Sequence, residues 1–167
     1  MMNSGNASAQ ERHPTGMYVL AFTELFERLS YYTLSFLLVL FASDTIQHGG
    51  LGWTKEAALG ISSMYTFGAF TLPIFGGVLA DRYIGVFRSA VFGGILIVLG
   101  HIGMYFANAE HLMIFYSSLF CVASGTAFFK PCLPSLLGRL YSKDASNREA
   151  GFSYYYMGIN LGAMIAG

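Results

Sequence analysis

The chain contains five apolar stretches, 17–43, 57–80, 88–108, 112–140 and 149–167. Each is close to or above the ~20 residues that a helix needs to cross a hydrocarbon core. Lipid offers no water to satisfy backbone N–H and C=O groups, so such stretches cross as helices. Composition agrees: 54% of the 167 residues are hydrophobic and 11% charged, against about 25% charged in a soluble domain. The sequence predicts an all-α polytopic membrane protein, with a polar cytoplasmic tail over 1–16 and a helix bundle over 17–167. The lipid bilayer is the first partner this implies. Formal net charge is +0, which gives no basis for nucleic-acid binding.

The connections are short. Asp44 to Glu56 is broken by Gly49, Gly50 and Gly52, Asp81 to Phe87 is charged, Asn108 to His111 is tight and Ser142 to Arg148 is polar. They leave no room for a soluble domain and predict antiparallel neighbours. Lys and Arg near helix ends set orientation. With the N-terminus cytoplasmic, Arg12, Arg82, Arg88, Arg139, Lys143 and Arg148 fall inside and Lys55 alone outside. The expected location is the cell membrane, multi-pass, N-terminus inside. The fifth stretch ends without a polar flank, as in a fragment of something larger. Gly158, Gly162 and Ala166 recur every four residues, the spacing at which membrane helices approach closely. Pro73, Pro131 and Pro134 lie inside spanning stretches and predict kinks, static or used in gating.

Charges at depth carry the functional signal. Glu24, Glu27 and Arg28 lie inside the first stretch and Lys130 inside the fourth. Three central charges cost roughly 8–10 kcal/mol on insertion scales. The 13 Leu, Val and Phe residues of that stretch return about 4–8 kcal/mol, so the charges must face protein or water. Glu24, Glu27, Arg28, Tyr31, Tyr32 and Ser35 share one arc of about 140° on a helical projection. With Lys130 the set has two acids and two bases. A neutral network fixing helix register is one reading; an ion or substrate path is the other. Protonating one Glu leaves net positive charge on Arg28 and Lys130, which favours an anion such as a carboxylate and couples it to the proton.

These residues resemble a known family. E-L-F-E-R-L-S-Y-Y, Glu24 to Tyr32, resembles the first-helix motif E-x-x-E-R-F-x-Y-Y of proton-dependent oligopeptide transporters, in the major facilitator superfamily; Leu29 stands where Phe is usual. G-G-V-L-A-D-R-Y-I-G, Gly76 to Gly85, F-F-K-P, Phe128 to Pro131, and F-S-Y-Y-Y-M-G-I-N-L-G-A-M, Phe152 to Met164, are similar to its later segments in the same order. The resemblance implies proton-coupled symport of di- and tripeptides, by a protein whose C-terminal half is missing here. It implies that Arg28 and Lys130 receive a peptide carboxylate, that Glu24 and Glu27 couple protons and pair with Lys130, and that Asn160 bonds the peptide. Tyr31, Tyr32, Tyr65 and Tyr156 would line the pocket, and Asp81 and Arg82 the cytoplasmic gate. Ser35 stands where several bacterial peptide carriers of the family have Arg. The alternatives are a proton-coupled carrier of a non-peptide anion such as nitrate, or a non-transporting membrane subunit.

The remaining candidates are weaker. His101 lines a polar gap or relays protons. Cys121 and Cys132 form no zinc spacing, and no metal site is expected. No phosphate-binding loop or nucleophile–base motif is present. The expectation is a carrier and not an enzyme, with no cofactor beyond protons as coupling ion.

Overall fold

The computed structural model describes residues 13–141 and 145–167, which form five α-helices and no strand. They are α1 (Thr15–Ser43), α2 (Lys55–Leu79), α3 (Val86–Tyr105), α4 (Leu112–Leu140) and α5 (Ala145–Ala166). Arg12, Lys143 and the tail through residue 12 lie outside the described residues. Four helices are long and apolar enough to cross a membrane, α2 together with the turn that follows it. α5 lies over the fifth apolar stretch but is more polar than the other four. Asn147, Arg148 and Glu149 lie near its start, and Ser153, Asn160 and three tyrosines dilute the rest.

Local chemistry explains the connections. After α1 the chain makes a 3₁₀ turn at Ile46–His48, and Gly49 and Gly52 take positive φ of 88° and 69°. The loop thereby folds back: Leu51 N–H donates to Phe41 O (3.1 Å) and Trp53 N–H to Ala42 O (2.9 Å). These satisfy carbonyls that a helix C-terminus leaves open. The Thr54 hydroxyl caps α2 by accepting from Ala57 N–H at 3.3 Å. The predicted charged connection after α2 differs: the helix runs on as a π-helical turn over Ala80–Ile84. It stops at Gly85, whose φ of 90° suits glycine alone. Asn108 accepts from the N–H groups of Glu110 (3.0 Å) and His111 (2.8 Å), making the tight turn into α4.

Two apolar clusters show how the helices run. One gathers the start of α1, the Ala80 turn, the start of α3, the end of α4 and Tyr155 of α5, around Met17, Val86, Leu133, Leu137 and Tyr141. The other gathers the opposite ends, around Leu38, Ala42, Ala58, Phe115 and Leu119. Starts and ends alternate between the clusters, so neighbours are antiparallel. Arg82, Arg88, Arg139 and Arg148 share the first end, and Lys55 lies at the other.

The dominant pairings are α3 on α4, α1 on α5 and α2 on α4, whereas α1 touches α4 only slightly. Backbones meet closely at small residues. A Cβ on Gly158 would fall 2.7 Å from Ala21 O, and one on Gly162 would strike Leu25 O, four residues along α1. Pro131 has no N–H for the carbonyl of Ala127, and Gly76 of α2 packs directly on that carbonyl oxygen. The kink site of α4 is thus also a helix contact. Large apolar side chains such as Phe22, Phe36, Phe87 and Ile95 remain exposed on outer faces, a liability in water that lipid removes. A cleft of about 1190 Å³ opens between α1 and α3, lined by Phe26, Leu29, Leu37, Met104 and His101.

A buried charge network between two helix pairs

Glu24, Glu27 and Arg28 sit near the middle of α1, between the two apolar clusters, with relative exposures of 3%, 8% and 5%. Their spacing makes the network local. Glu24 is one turn before Arg28, and Arg28 Nε lies 3.2 Å from Glu24 Oε1. Glu27 is adjacent; its Oε2 accepts a hydrogen bond from Arg28 Nε and forms an ion pair with Nη2. One guanidinium therefore holds two carboxylates. From α5, Tyr155 donates its phenol hydroxyl to Glu24 Oε2 at 2.8 Å. The close α1–α5 approach at Gly158 and Gly162 brings that hydroxyl within reach.

Aromatic rings form the next layer. Arg28 Cζ lies 5.4 Å from the Tyr31 ring centroid. Tyr31 stacks on Tyr65 of α2 at 5.9 Å and meets Tyr32 edge to face at 5.2 Å. Tyr65 is 3% exposed, and its hydroxyl has no hydrogen-bond partner among the described residues. Ser35, on the same face, spends its hydroxyl on the Tyr31 carbonyl at 2.8 Å.

Lys130 occupies the facing wall on α4, half-buried. Pairing with Glu24 and Glu27 was the expectation; both carboxylates are instead on Arg28. Among the described residues no carboxylate stands at ion-pair distance from Lys130. The reason is geometric: Arg28 shares a helix with both acids, while Lys130 must reach them across the slight α1–α4 contact. Its ammonium instead lies 4.2 Å from the Phe70 ring centroid.

The structure brings together Glu24, Glu27, Arg28, Tyr31, Tyr32 and Tyr65, with Lys130 opposite. Tyr156 and Asn160 are not in that group; both are exposed on the face of α5 turned away from α1. Asp81 and Arg82 are exposed in the π-helical turn. His101 receives the Ser30 hydroxyl at 2.9 Å and uses Nδ1 on Ile97 O at 2.8 Å, away from the charges in the α1–α3 cleft. Sequence reasoning passed over two residues, Tyr155 and Phe70. The signal for Tyr155 was present: it precedes Gly158 by three and Gly162 by seven, so it shares their face, whereas Tyr156 is turned about 100° from it.

A cluster of two carboxylates and two cations, in which no carboxylate among the described residues stands at ion-pair distance from Lys130, is suited to an anion whose binding competes with protons. Comparison with known proteins gives this chemistry a family. A family model described as the POT family matches residues 87–167. An uncharacterised transporter of Bacillus subtilis is 40% identical over 92% of this chain and 31% of its own length. A di-/tripeptide transporter of Lactococcus lactis is 41% identical over 92% of this chain and 31% of its own. A solved peptide transporter in complex with sulfate superposes with a TM-score of 0.87 at 40% identity, covering 92% of this chain and 31% of that one. A POT family transporter in complex with 5-aminolevulinic acid gives 0.85 at 36% identity, with the same coverage. The chain thus spans about a third of the length of these relatives, corresponding to their N-terminal part. It belongs to the POT family of membrane transporters.

Proposed function

We propose that these helices are the N-terminal part of an intact carrier that moves di- and tripeptides across the membrane together with protons. The carrying observation is the Glu24–Arg28–Glu27 network with Tyr155 on one acid and, opposite, Lys130 with no carboxylate at ion-pair distance among the described residues. While both carboxylates are ionised, both are held by Arg28. A proton on either acid frees part of the guanidinium and leaves the chamber net positive. A ligand carboxylate can then bridge Arg28 and Lys130. Binding that favours protonation is in turn favoured by it, by the same factor. The remainder of the carrier supplies the second wall, and access alternates by rocking of one bundle against the other. No covalent step is assigned; the role is transport without catalysis.

Two outside facts support the reading. The Lactococcus lactis relative is named a di-/tripeptide transporter, and a structural relative is in complex with alafosfalin. The bound sulfate and 5-aminolevulinic acid of other relatives keep a non-peptide anion as the second reading. Orientation follows the arginines, with the N-terminus, the π-helical turn carrying Asp81 and Arg82, and the end of α4 facing the cytoplasm. Asp81 and Arg82 are assigned to the inner gate, and Asn160 and Tyr156 to the face that meets the remainder of the protein.

The test uses the intact protein in proteoliposomes. Glu27→Gln and Glu24→Gln are each expected to lower proton-driven di-alanine uptake by about 5- to 150-fold, the usual span of a coupling factor. Counterflow exchange, which needs no net proton movement, should persist. Undiminished proton-driven uptake in both variants removes the coupling role. Wild-type uptake of an anion that di-alanine fails to compete with selects the second reading.

A further inference from the structure

Beside the Glu24–Arg28–Glu27 network, Lys130 has no carboxylate at ion-pair distance among the described residues, and the ring it rests on is an otherwise exposed phenylalanine of α2. Helical phase accounts for the meeting. A Cβ on Gly77 would lie 3.3 Å from the Pro131 ring, so these positions face each other. Phe70 precedes Gly77 by seven residues on the same face, and Lys130 adjoins Pro131. Phe70 also meets Tyr31 edge to face at 6.4 Å with an interplanar angle of 85°. Tyr31 in turn carries Arg28. Both cations of the chamber therefore rest on aromatic faces, and the two rings touch.

A ring face attracts a cation through its quadrupole without neutralising it. An ammonium has three donors, and a ring occupies one side of it. We propose that Phe70 is a positioning residue: it seats the Lys130 ammonium apart from the Glu24–Arg28–Glu27 network and so keeps one cation available to an anionic ligand. The availability rests on the transport reading above; the seat does not. Without the ring, Lys130 is free to swing toward Glu27 and Glu24, whose charges already act on it. Ligand binding then weakens while the transport cycle keeps its speed.

Two measurements on the intact protein separate the seat from the transport reading. For uptake of di-alanine, Phe70→Leu raises KM on the order of 5- to 30-fold and leaves kcat within about twofold. Phe70→Tyr, which keeps the ring, restores KM. A merely structural role would lower kcat or protein yield and would not be rescued by the ring alone. Separately, reductive methylation with ¹³C-formaldehyde leaves lysines charged and gives each an NMR signal. The Lys130 signal, assigned by its loss in Lys130→Arg, sits upfield from the ring current of Phe70 and returns to the ordinary lysine position in Phe70→Leu. An unshifted signal in the wild type, or a shift retained in Phe70→Leu, overturns the seat. Wild-type uptake with KM unchanged in Phe70→Leu overturns the availability and leaves the transport reading standing. Wild-type protein that takes up no di-alanine overturns the transport reading, and the NMR shift still decides the seat.

Discussion

A guanidinium shared by two buried carboxylates is stable only as a set, because removing one partner strands charge away from water. Arg28→Met should therefore destabilise the folded protein by about 3–5 kcal/mol, read as loss of monodisperse protein in a thermal ramp. Replacing all three residues by apolar ones of similar volume should cost far less, since buried ion networks give back little net energy. Tyr155 is bound into the same set by its bond to Glu24. A hydrogen bond to a charged group is worth about 1.5–3 kcal/mol, so Tyr155→Phe is expected to reduce uptake by roughly tenfold or more. Tyr156→Phe, on the exposed side of α5, should stay within about twofold. Equal losses in the two variants would place Glu24's partner elsewhere. The acids and Arg28 were legible in sequence because charge at membrane depth is rare and needs a reason. Choosing Tyr155 over Tyr156 needed the phase of α5 relative to its glycines, a weaker signal inside a run of three tyrosines.

At the level of helices, contact is set by small residues where hydrophobic burial gives no advantage, since lipid is as apolar as Leu. Gly158 and Gly162 bring the α5 backbone onto Ala21 and Leu25 of α1. Gly158→Leu or Gly162→Leu should split this pair and, by withdrawing Tyr155 from Glu24, abolish uptake together with folded yield. Gly60→Leu is the control, because a Cβ on Gly60 meets nothing within 4 Å. Size-exclusion chromatography of the three variants reads the difference; an intact Gly162→Leu protein would contradict the packing. The glycine spacing could be read directly from the sequence. The π-helical turn over Ala80–Ile84 could not, because Asp81 and Arg82 look like a connection by composition, and only the φ of Gly85 marks where the helix stops. α5 carries the weakest apolar signal of the five, since its tyrosines and glycines look apolar in a count yet lower its mean hydropathy.

Over the whole molecule, the charge network lies between two apolar clusters that cap it at either end, so protons and ligand must reach it from a side or through a gate. Antiparallel order and the one-sided distribution of arginines give the proposed orientation a direct check. A cysteine placed at Lys55 should react with an impermeant maleimide added outside cells, and one at Arg82 only after permeabilisation; the reverse pattern would invert the topology. Bundle and helix count were readable because the bilayer admits few alternatives. The division of labour between the cations was not, since it depends on which carboxylate reaches which base in three dimensions. In the proposed cycle a ligand takes Arg28 only as a carboxylate gives it up to a proton. Calorimetry of di-alanine binding to the intact transporter, in buffers of different ionisation enthalpy, counts the protons exchanged. Uptake of about one proton per ligand is expected near neutral pH, abolished by Glu24→Gln or Glu27→Gln; binding with no proton uptake in the wild type would overturn the coupling.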